Sequence, residues 1–298
     1  MSDNFTIPVV LITFKRPNLA EQQLERLRRV QPESVYWISD AARPGNEDED
    51  ELVKQTRELA DTIDWPCNLV KIFAEENMGC DKRIVSGLNE VFAQVDKAII
   101  LEDDCLPSAS FFRYCQEMLL RYEKDSDVMY ISGTKKVPQY PMEYSYGFSY
   151  DTGTWGWATW RRAWNEWHWD RAEWDLKKAD FMKDVFIDKR RKRWVENVEK
   201  YFDTKSIPWD YIWTFCVGKR LSIFPAVNLV GNVGFDEGAT HTMEPMYGYD
   251  PTVKELTDIT HPPVKKADLK YLNLAEKQFS VPLWYRVKRK ILKILKIW

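Results

Sequence analysis

The chain of 298 residues is long enough for one large domain or two closely packed ones, and its 44% hydrophobic and 30% charged residues exclude a disordered protein. Its net charge of −3 gives nucleic acid no overall attraction, so no nucleic-acid partner is expected. The five cysteines are scattered without a Cys-x-x-Cys pair, which argues against a disulfide framework and against structural zinc. We expect neither a signal peptide nor a membrane span, and we predict a cytoplasmic protein.

Apolar strands and helices alternate through roughly the first hundred residues. Strands are predicted at 7–14, 34–39, 69–73 and 98–101, with helices at 19–30, 51–63 and 81–94 between them. A helix at 111–122 and a strand at 128–132 continue the pattern. This alternation predicts an α/β fold with a mostly parallel, doubly wound central sheet flanked by helices.

The second half of the chain has a different character. After Lys135, loops and short strands are expected, followed by a Trp-rich region. Helices are predicted near 175–187, 189–202 and 209–217, a strand near 221–230, and irregular glycine-rich chain over 231–249. We divide the chain into a first half (1–134), a second half (135–250), a linker (251–280) and a basic amphipathic helix (281–298).

The segment 281–298 combines an apolar helical face with basic residues and contains no acid. This pattern predicts a helix that lies on an anionic membrane surface, which would make the protein peripheral at the inner face of the plasma membrane. Docking onto the protein's own acidic body is the alternative. The apolar face consists of Trp284, Val287, Ile291, Ile294, Leu295 and Trp298, and the basic residues are Arg286, Lys288, Arg289, Lys290, Lys293 and Lys296.

Three carboxylates, Glu102, Asp103 and Asp104, follow the apolar strand at 98–101, and Pro107 is expected to prevent its continuation. In open parallel sheets, ligands bind just beyond the carboxyl ends of the strands. Adjacent acids repel one another unless a cation or several donors compensate them. A hard divalent metal ion carrying diphosphate oxygens would supply that compensation, and a solvated acidic turn is the alternative.

Polar residues also follow the first three strands. Thr13 and Arg16 come after the first, Asp40 after the second, and Asn77 and Gly79 after the third. Together with the acidic triplet they predict one cleft for a nucleoside diphosphate, although Asp40 alone would read as a turn residue and Arg16 as a solvated cation. The glycine patterns of dinucleotide folds and P-loops are absent from the sequence.

Asp210 falls in the first turn of the helix predicted at 209–217, next to Trp209. A carboxylate there could simply stabilise the helix start. It could also act as a general base for an incoming sugar hydroxyl, and its aromatic surroundings would raise its pKa somewhat.

The Trp-rich region and a later loop supply further candidates. Trp155, Trp157 and Trp160, among Gly153 and Gly156, could pack against sugar rings, although core packing is expected for at least half of them. His241, in the glycine-rich loop, is a candidate metal ligand.

These residues together resemble GT-A fold (nucleotide-diphospho-sugar transferase) glycosyltransferases, in particular the β-1,2-N-acetylglucosaminyltransferase I type and its bacterial relatives, over roughly residues 7–245. The resemblance implies that Asp104 holds Mn²⁺ or Mg²⁺, that Glu102 and Asp103 contact sugar and ribose, and that Asp210 is the catalytic base. It also places nucleotide contacts on Arg16, Asp40 and the 77–83 turn with Arg83. The acceptor segment is implied to be 152–164, with Gly153, Trp155, Gly156 and Trp157, and with Trp209 beside the base.

The resemblance implies an inverting, metal-dependent transfer from a nucleotide sugar, a UDP-sugar by preference, to a hydroxyl of a glycan acceptor. A lipid-linked oligosaccharide in bacterial surface polysaccharide or glycoconjugate synthesis would suit a membrane-bound tail. Two alternatives stay open. A sugar nucleotidyltransferase would carry a glycine-rich basic loop after the first strand, and 13–18 contains no glycine. A non-catalytic carbohydrate-binding protein would leave the acids without a role.

Overall fold

A computed structural model describes residues 5–185, 195–196, 198–200, 208–218, 220–234 and 252–278. Three predictions lie wholly or mostly outside these residues: the helix at 189–202, His241 with most of its glycine-rich loop, and the basic helix at 281–298. The described chain is an α/β fold built on a mixed sheet of eight strands with helices on both faces, in the order β3-β2-β1-β4-β8-β6-β9-β7.

The first half of the sheet is parallel, as predicted. Strands β1, β2, β3 and β4 pair in parallel, and helices α1, α2 and α3 connect them. Because they run in the same direction, the carboxyl ends of these four strands lie side by side at one end of the sheet. The strands are Val9–Thr13, Ser34–Ser39, Asn68–Phe73 and Lys97–Glu102, and the helices are Pro17–Val30, Glu47–Glu58 (extended by a 3-10 turn at Leu59–Thr62) and Cys80–Gln94.

Helix α2 begins at Glu47 rather than at the predicted residue 51. The side chain of Asn46 accepts a hydrogen bond from the backbone N–H of Glu49, at 3.1 Å. The four acidic residues from Glu47 to Asp50 fill the first turn, where the helix dipole stabilises negative charge. The acidic residues 47–50, which the prediction left outside the helix, therefore form its first turn.

The second half of the sheet mixes directions. Strand β8 lies antiparallel between β4 and β6, β9 is parallel to β6, and β7 is antiparallel at the edge. Six of the eight strands in the described sheet therefore run the same way. The strands are β5 (Cys105–Pro107), β6 (Val128–Ser132), β7 (Tyr146–Ser149), β8 (Trp157–Trp160), β9 (Leu221–Pro225) and β10 (Val230–Asn232); the helices are α4 (Ala109–Arg121), α5 (Arg161–Trp164), α6 (Arg171–Val185), α7 (Trp209–Val217) and α8 (Leu269–Gln278).

Two strand predictions need correction. The single strand expected over 221–230 is divided into β9 and β10, because Asn228 leaves the sheet and accepts a hydrogen bond from the backbone N–H of Lys135 with its side-chain oxygen, at 3.2 Å. Pro107 does not stop extended structure after the acidic turn. It ends β5, which pairs with β10 in a separate two-stranded sheet, where a terminal proline is tolerated.

The segment predicted as a linker from residue 251 is attached to the body over 252–278. The carboxylate of Glu255 accepts hydrogen bonds from the backbone N–H groups of Ala109 and Ser110, at 3.0 and 2.8 Å, at the start of α4. Further along, Ala267 forms a bridge to Phe148 in β7, and α8 packs on the same strand. The described part of this segment is thus an integral strap of the fold.

Two large apolar clusters lie on the two faces of the sheet. Much of the tryptophan content is core: Trp37, Trp157, Trp160, Trp164, Trp174 and Trp213 are fully buried. Among the helices in the described ranges, none combines the length and apolar composition needed to cross a membrane.

Candidate functional site

The acidic turn between β4 and β5 is fixed from two sides. Asp103 donates its backbone N–H to the carbonyl of Ile12 in β1, at 3.0 Å, and its carboxylate accepts from the backbone N–H of Phe14, at 3.4 Å. The buried side chain of Gln23 in α1 donates to the carbonyls of Glu102 (2.8 Å) and Cys105, one on each side of the turn. The backbone that carries the three acids is therefore held in one position.

Arg16 bridges two of the acids. Its Nη2 lies 2.7 Å from Asp103 Oδ1 and 3.0 Å from Asp104 Oδ2. The other oxygen of Asp104 accepts a hydrogen bond from the amide of Asn232 in β10, at 3.1 Å. The side chains of Arg16 and Asp104 are 16% and 14% exposed, so the pair reaches solvent, whereas that of Asp103 is 4% exposed.

The acidic turn carries more negative charge than this arginine balances. Burial and the charges of Asp104 and Asp103 raise the pKa of Glu102 well above its usual value, although Arg16 opposes the shift. Burial and the charge of Asp104 raise the pKa of Asp103 to about 7, again against Arg16. A buried site with excess carboxylate charge and hard oxygen donors suits a divalent cation such as Mn²⁺ or Mg²⁺.

The described side chains do not form a complete metal cage. Within those ranges, no group of three or more His, Cys, Asp or Glu side chains is arranged to hold a metal ion. Asp104, at the more exposed end of the triplet, would therefore share a cation with oxygens from a ligand. The second predicted ligand, His241, lies outside the described residues.

Asp40 organises the turn that precedes α3. Its carboxylate accepts from the backbone N–H groups of Ala41 (3.0 Å), Met78 (2.9 Å) and Gly79 (2.9 Å), and Asn77 donates to the carbonyl of Ala41 at 2.6 Å. Gly79 has φ +79°, a conformation that favours glycine, and open space lies where a side chain would be. The structure thus gives Asp40 a role in holding the turn, and its contact with a nucleotide stays a prediction.

Two residues predicted to contact the nucleotide have side chains that are buried in the protein interior. The Thr13 hydroxyl accepts from Trp37 Nε1 at 2.9 Å, and the Thr13 side chain is buried. Arg83 is also buried, where its guanidinium donates to the carbonyl of Ile72 at 3.2 Å and burial lowers its pKa. Thr13 was expected from its strand-end position and Arg83 from the resemblance. Both side chains are buried in the fold, and their contact with a nucleotide stays a prediction.

Asp210 lies on the same side of the sheet as the acidic turn, beyond the carboxyl ends of the parallel strands. The start of helix α7 lies beside the start of α3, where the backbone N–H of Trp209 donates a hydrogen bond to Asp81 Oδ1 at 3.4 Å. The charge of Asp210 contributes to the raised pKa of Glu102, and it adds to burial and nearby acids in raising the pKa of the Cys80 thiol. The fold therefore brings together two acids that are 108 positions apart in the chain.

The predicted aromatic sugar platform is mostly core. Trp157 is 1% exposed and stacks on Tyr130 and Trp209, with ring centroids 5.2 and 5.8 Å apart. Trp209 is also buried, and Gly156 is packed tightly against Val230. The structure thus gives Trp157, Trp209 and Gly156 a packing role, and their contact with an acceptor stays a prediction. The half-buried Gly153 and Trp155 keep their place as predicted acceptor contacts.

Several residues of the site were missed from sequence. Lys136 forms an ion pair with Asp151 at 2.6 Å, next to Gly153, and Asn232 binds Asp104. Gln23 could have been found, because it interrupts the apolar face of α1 between Ala20 and Leu27. The other three, Lys136, Asp151 and Asn232, have no local pattern, since each pairs with a residue at least 15 positions away in the chain.

A further missed group joins the loops after β1 and β2. Glu49, with a side chain that is 2% exposed, binds Lys15 at 2.8 Å and Arg43 at 2.7 Å. Although burial opposes it, hydrogen bonds from Arg43 and Lys15 lower the pKa of Glu49 to about 2. The spacing Asn46-x-x-Glu49 resembles a capping box and marks the residue in the sequence.

Comparison with known proteins gives distant similarities only. No family model matches the sequence, and no curated protein matches it. Solved structures that resemble the fold include UDP-glucose pyrophosphorylase complexed with UDP-glucose (7% identity, 76% of this chain and 92% of that chain covered, TM-score 0.40) and apo-UDP-glucose pyrophosphorylase (9%, 75% and 93%, 0.38). A putative nucleotide-diphospho-sugar transferase from Desulfovibrio desulfuricans G20 is 9% identical over 56% of this chain and 70% of that chain, with a TM-score of 0.30.

None of these three is named as a β-1,2-N-acetylglucosaminyltransferase, so the finer resemblance stays a prediction. At this distance the similarities concern the fold only and do not assign an activity. Function must be argued from the site itself.

Proposed function

We propose that this chain is an inverting, metal-dependent glycosyltransferase that uses a nucleotide sugar, with a UDP-sugar as the favoured donor. The observation that supports the proposal is that α7, which begins with Trp209 and Asp210, packs beside β4: Trp209 stacks on Trp157, which pairs with Ile100, two residues before Glu102. One group of carboxylates has excess negative charge suited to a cation, and a separate carboxylate lies within electrostatic range of it. Glycosyl transfer needs these two elements, one for the leaving diphosphate and one for the acceptor proton.

The donor side is formed by the acidic turn, Arg16 and the turn before α3. Asp104 would hold Mn²⁺ or Mg²⁺, which would supply positive charge for the leaving diphosphate. Arg16 carries a guanidinium whose fork of donors matches phosphate oxygens. Gly79 leaves open space at the start of α3, and the N-terminus of a helix favours an anion. Glu102 and Asp103 are proposed to face sugar and ribose.

Asp210 is proposed as the general base. As the acceptor oxygen bonds to the anomeric carbon of the donor, its proton passes to the Asp210 carboxylate. The bond from the anomeric carbon to the diphosphate oxygen breaks, and its electron pair leaves with the nucleotide. Because one base acts from the face opposite the leaving group, the configuration at that carbon inverts.

The acceptor is proposed to be a glycan hydroxyl that enters beside α7. A hydrogen bond between the hydroxyls of Thr152 and Thr214 docks the 151–154 loop on this helix, and the Thr214 hydroxyl also donates to the backbone carbonyl of Asp210, at 2.9 Å. Gly153 and Trp155 are proposed as acceptor contacts on this loop and just after it. We also propose that the acceptor is lipid-linked, in bacterial surface polysaccharide or glycoconjugate synthesis, and that residues 281–298 hold the protein on an anionic membrane at the cytoplasmic face. That segment lies outside the described residues.

Two measurements on the full chain test the proposal. Calorimetry should show UDP binding that strengthens with Mn²⁺, and a hydrolysis screen across nucleotide sugars should release nucleoside diphosphate from one donor class. Asp104→Asn should lose the Mn²⁺ dependence of binding. Failure to bind any nucleoside diphosphate, with or without metal, would refute the proposal. Formation of a nucleotide sugar from a sugar phosphate and a nucleoside triphosphate would favour a nucleotidyltransferase instead.

A further inference from the structure

We infer that Arg16 is an exchangeable counter-ion of the acidic turn. Without ligand it neutralises Asp103 and Asp104, and when the donor arrives its guanidinium moves to the diphosphate and leaves Asp104 to the metal ion. This inference rests on the proposed function, and it adds a rule for the order in which the site fills: metal affinity is low until the nucleotide sugar is present.

The first support is the occupancy of Asp104. One oxygen accepts from Arg16 at 3.0 Å and the other from Asn232 at 3.1 Å. A divalent cation on this carboxylate would lie close to a guanidinium charge, and two cations at such a separation repel strongly in a partly buried site. The amide of Asn232 is neutral and can stay. Arg16 is the partner that must leave.

The second support is that Arg16 can leave without disturbing the fold. Its backbone carbonyl is fixed by the N–H groups of Leu19 and Ala20, at 3.1 and 3.0 Å, at the start of α1. Its side chain, by contrast, is 16% exposed and is not part of these backbone hydrogen bonds. Asp103 keeps its hydrogen bond from Phe14 in either state. The exchange is therefore a side-chain movement over a fixed backbone.

The third support is the chemistry of the destination. A guanidinium presents donors in a planar fork that binds phosphate oxygens as well as it binds carboxylates. A diphosphate that accepts Arg16 frees Asp104 for metal, and a metal ion on Asp104 frees Arg16 for the diphosphate. Such coupling is reciprocal and commonly amounts to about 5- to 150-fold in affinity.

The test compares Arg16→Gln with Lys15→Gln. Both variants lose one positive charge at adjacent positions, but Lys15 pairs with Glu49 rather than with the acidic turn. Binding of Mn²⁺ alone is measured by the electron paramagnetic resonance signal of the free ion, and UDP binding without metal by calorimetry. We expect Arg16→Gln to bind Mn²⁺ about tenfold more tightly and UDP about tenfold more weakly than the wild type. Lys15→Gln should stay within about twofold for Mn²⁺.

Opposite changes in affinity, tighter for Mn²⁺ and weaker for UDP, distinguish exchange from a role in which Arg16 only stabilises the structure of the site. If Arg16→Gln binds Mn²⁺ equally or more weakly, the inference is wrong while the proposed function stands, provided that the wild type binds Mn²⁺ with UDP. If neither protein binds Mn²⁺ or UDP, both fail. Arg16→Lys covers the case of poor folding: it should keep near wild-type Mn²⁺ affinity but bind UDP more weakly, and tighter Mn²⁺ binding in this variant would refute exchange.

Discussion

Asp210→Asn tests the proposed general base, because the substitution removes its charge and leaves the other residues of the site unchanged. The change removes a charge and almost no volume, and the known backbone contacts of α7 persist: Trp209 N–H to Asp81, and Thr214 to the carbonyl of Asp210, at 2.9 Å. We therefore expect the loss of stability to be that of a charge at a helix N-terminus, about 0.3 to 1 kcal/mol. Loss of a general base lowers turnover by about 10² to 10⁴, which corresponds to about 2.7 to 5.4 kcal/mol in the transition state.

The assay is steady-state transfer with the donor found by screening, together with calorimetry for Mn²⁺ and UDP. Because the negative charge of Asp210 contributes to the raised pKa of Glu102, its removal should lower that pKa while the variant retains nucleotide binding within about threefold. Asp96→Asn is the matched control, since it removes the same charge just before β4, at the end of that strand opposite the acidic turn, where the Asp96 side chain is 77% exposed, and it should keep turnover within about threefold. Turnover of Asp210→Asn equal to that of the control would refute the base assignment.

Three further predictions concern the frame of the site. In Gly234→Ala a new methyl group would lie 2.7 Å from Asp104 Cγ, so Asp104 must rotate. Calorimetry should then show at least about tenfold weaker Mn²⁺–UDP binding, and unchanged affinity would contradict the packing of the chain just after β10 on the acidic turn. Glu49→Gln removes the ion pairs that lower the pKa of Glu49 from 4.5 to about 2. A shift of that size corresponds to at most about 3 kcal/mol of stability, and the solvent exposure of Arg43 reduces this value. Urea unfolding at pH 7 should therefore show a free energy of unfolding about 2 kcal/mol lower than that of the wild type. Because this stability is present above pH 4.5 and lost as the pH falls toward 2, the difference from wild type should shrink on acidification; a difference independent of pH would argue against the ion pair. Trp157→Ala should lower stability by about 3 to 5 kcal/mol in the same assay, and a loss of acceptor binding at unchanged stability would restore the sugar-platform interpretation.

The parts of the fold that could be predicted are those specified locally. The apolar run of β4 followed by Glu102, Asp103 and Asp104 identifies a buried strand and a charged turn without any distant information. The alternation of strands and helices likewise predicts the parallel half. The antiparallel insertion of β8 between β4 and β6 could not be predicted, because strand order depends on pairings between segments far apart in the chain.

The site also combines features that could be predicted from local sequence with features that depend on long-range contacts. The cluster of Asp40, Asn77 and Gly79 was expected from strand ends, and the structure brings the three together. The burial of the Thr13 and Arg83 side chains could not be predicted, because a position at the end of a strand or the start of a helix does not say whether the side chain points outward or packs inward. The long-range contact of Asn232 with Asp104 has no counterpart in sequence spacing.

The strap at 252–278 bears on how the protein avoids pairing with itself. Strand β7 is one edge of the main sheet, and unpaired strand edges recruit other chains into aggregates. The bridge from Ala267 and the hydrogen bond from Asp268 N–H to the carbonyl of Phe148, at 2.7 Å, use that edge within the same molecule. At the opposite edge, β3 carries Lys71, a charged residue of the kind that discourages such pairing. A chain cut after residue 250, where the sequence pattern suggests a domain boundary, would expose β7 and should aggregate.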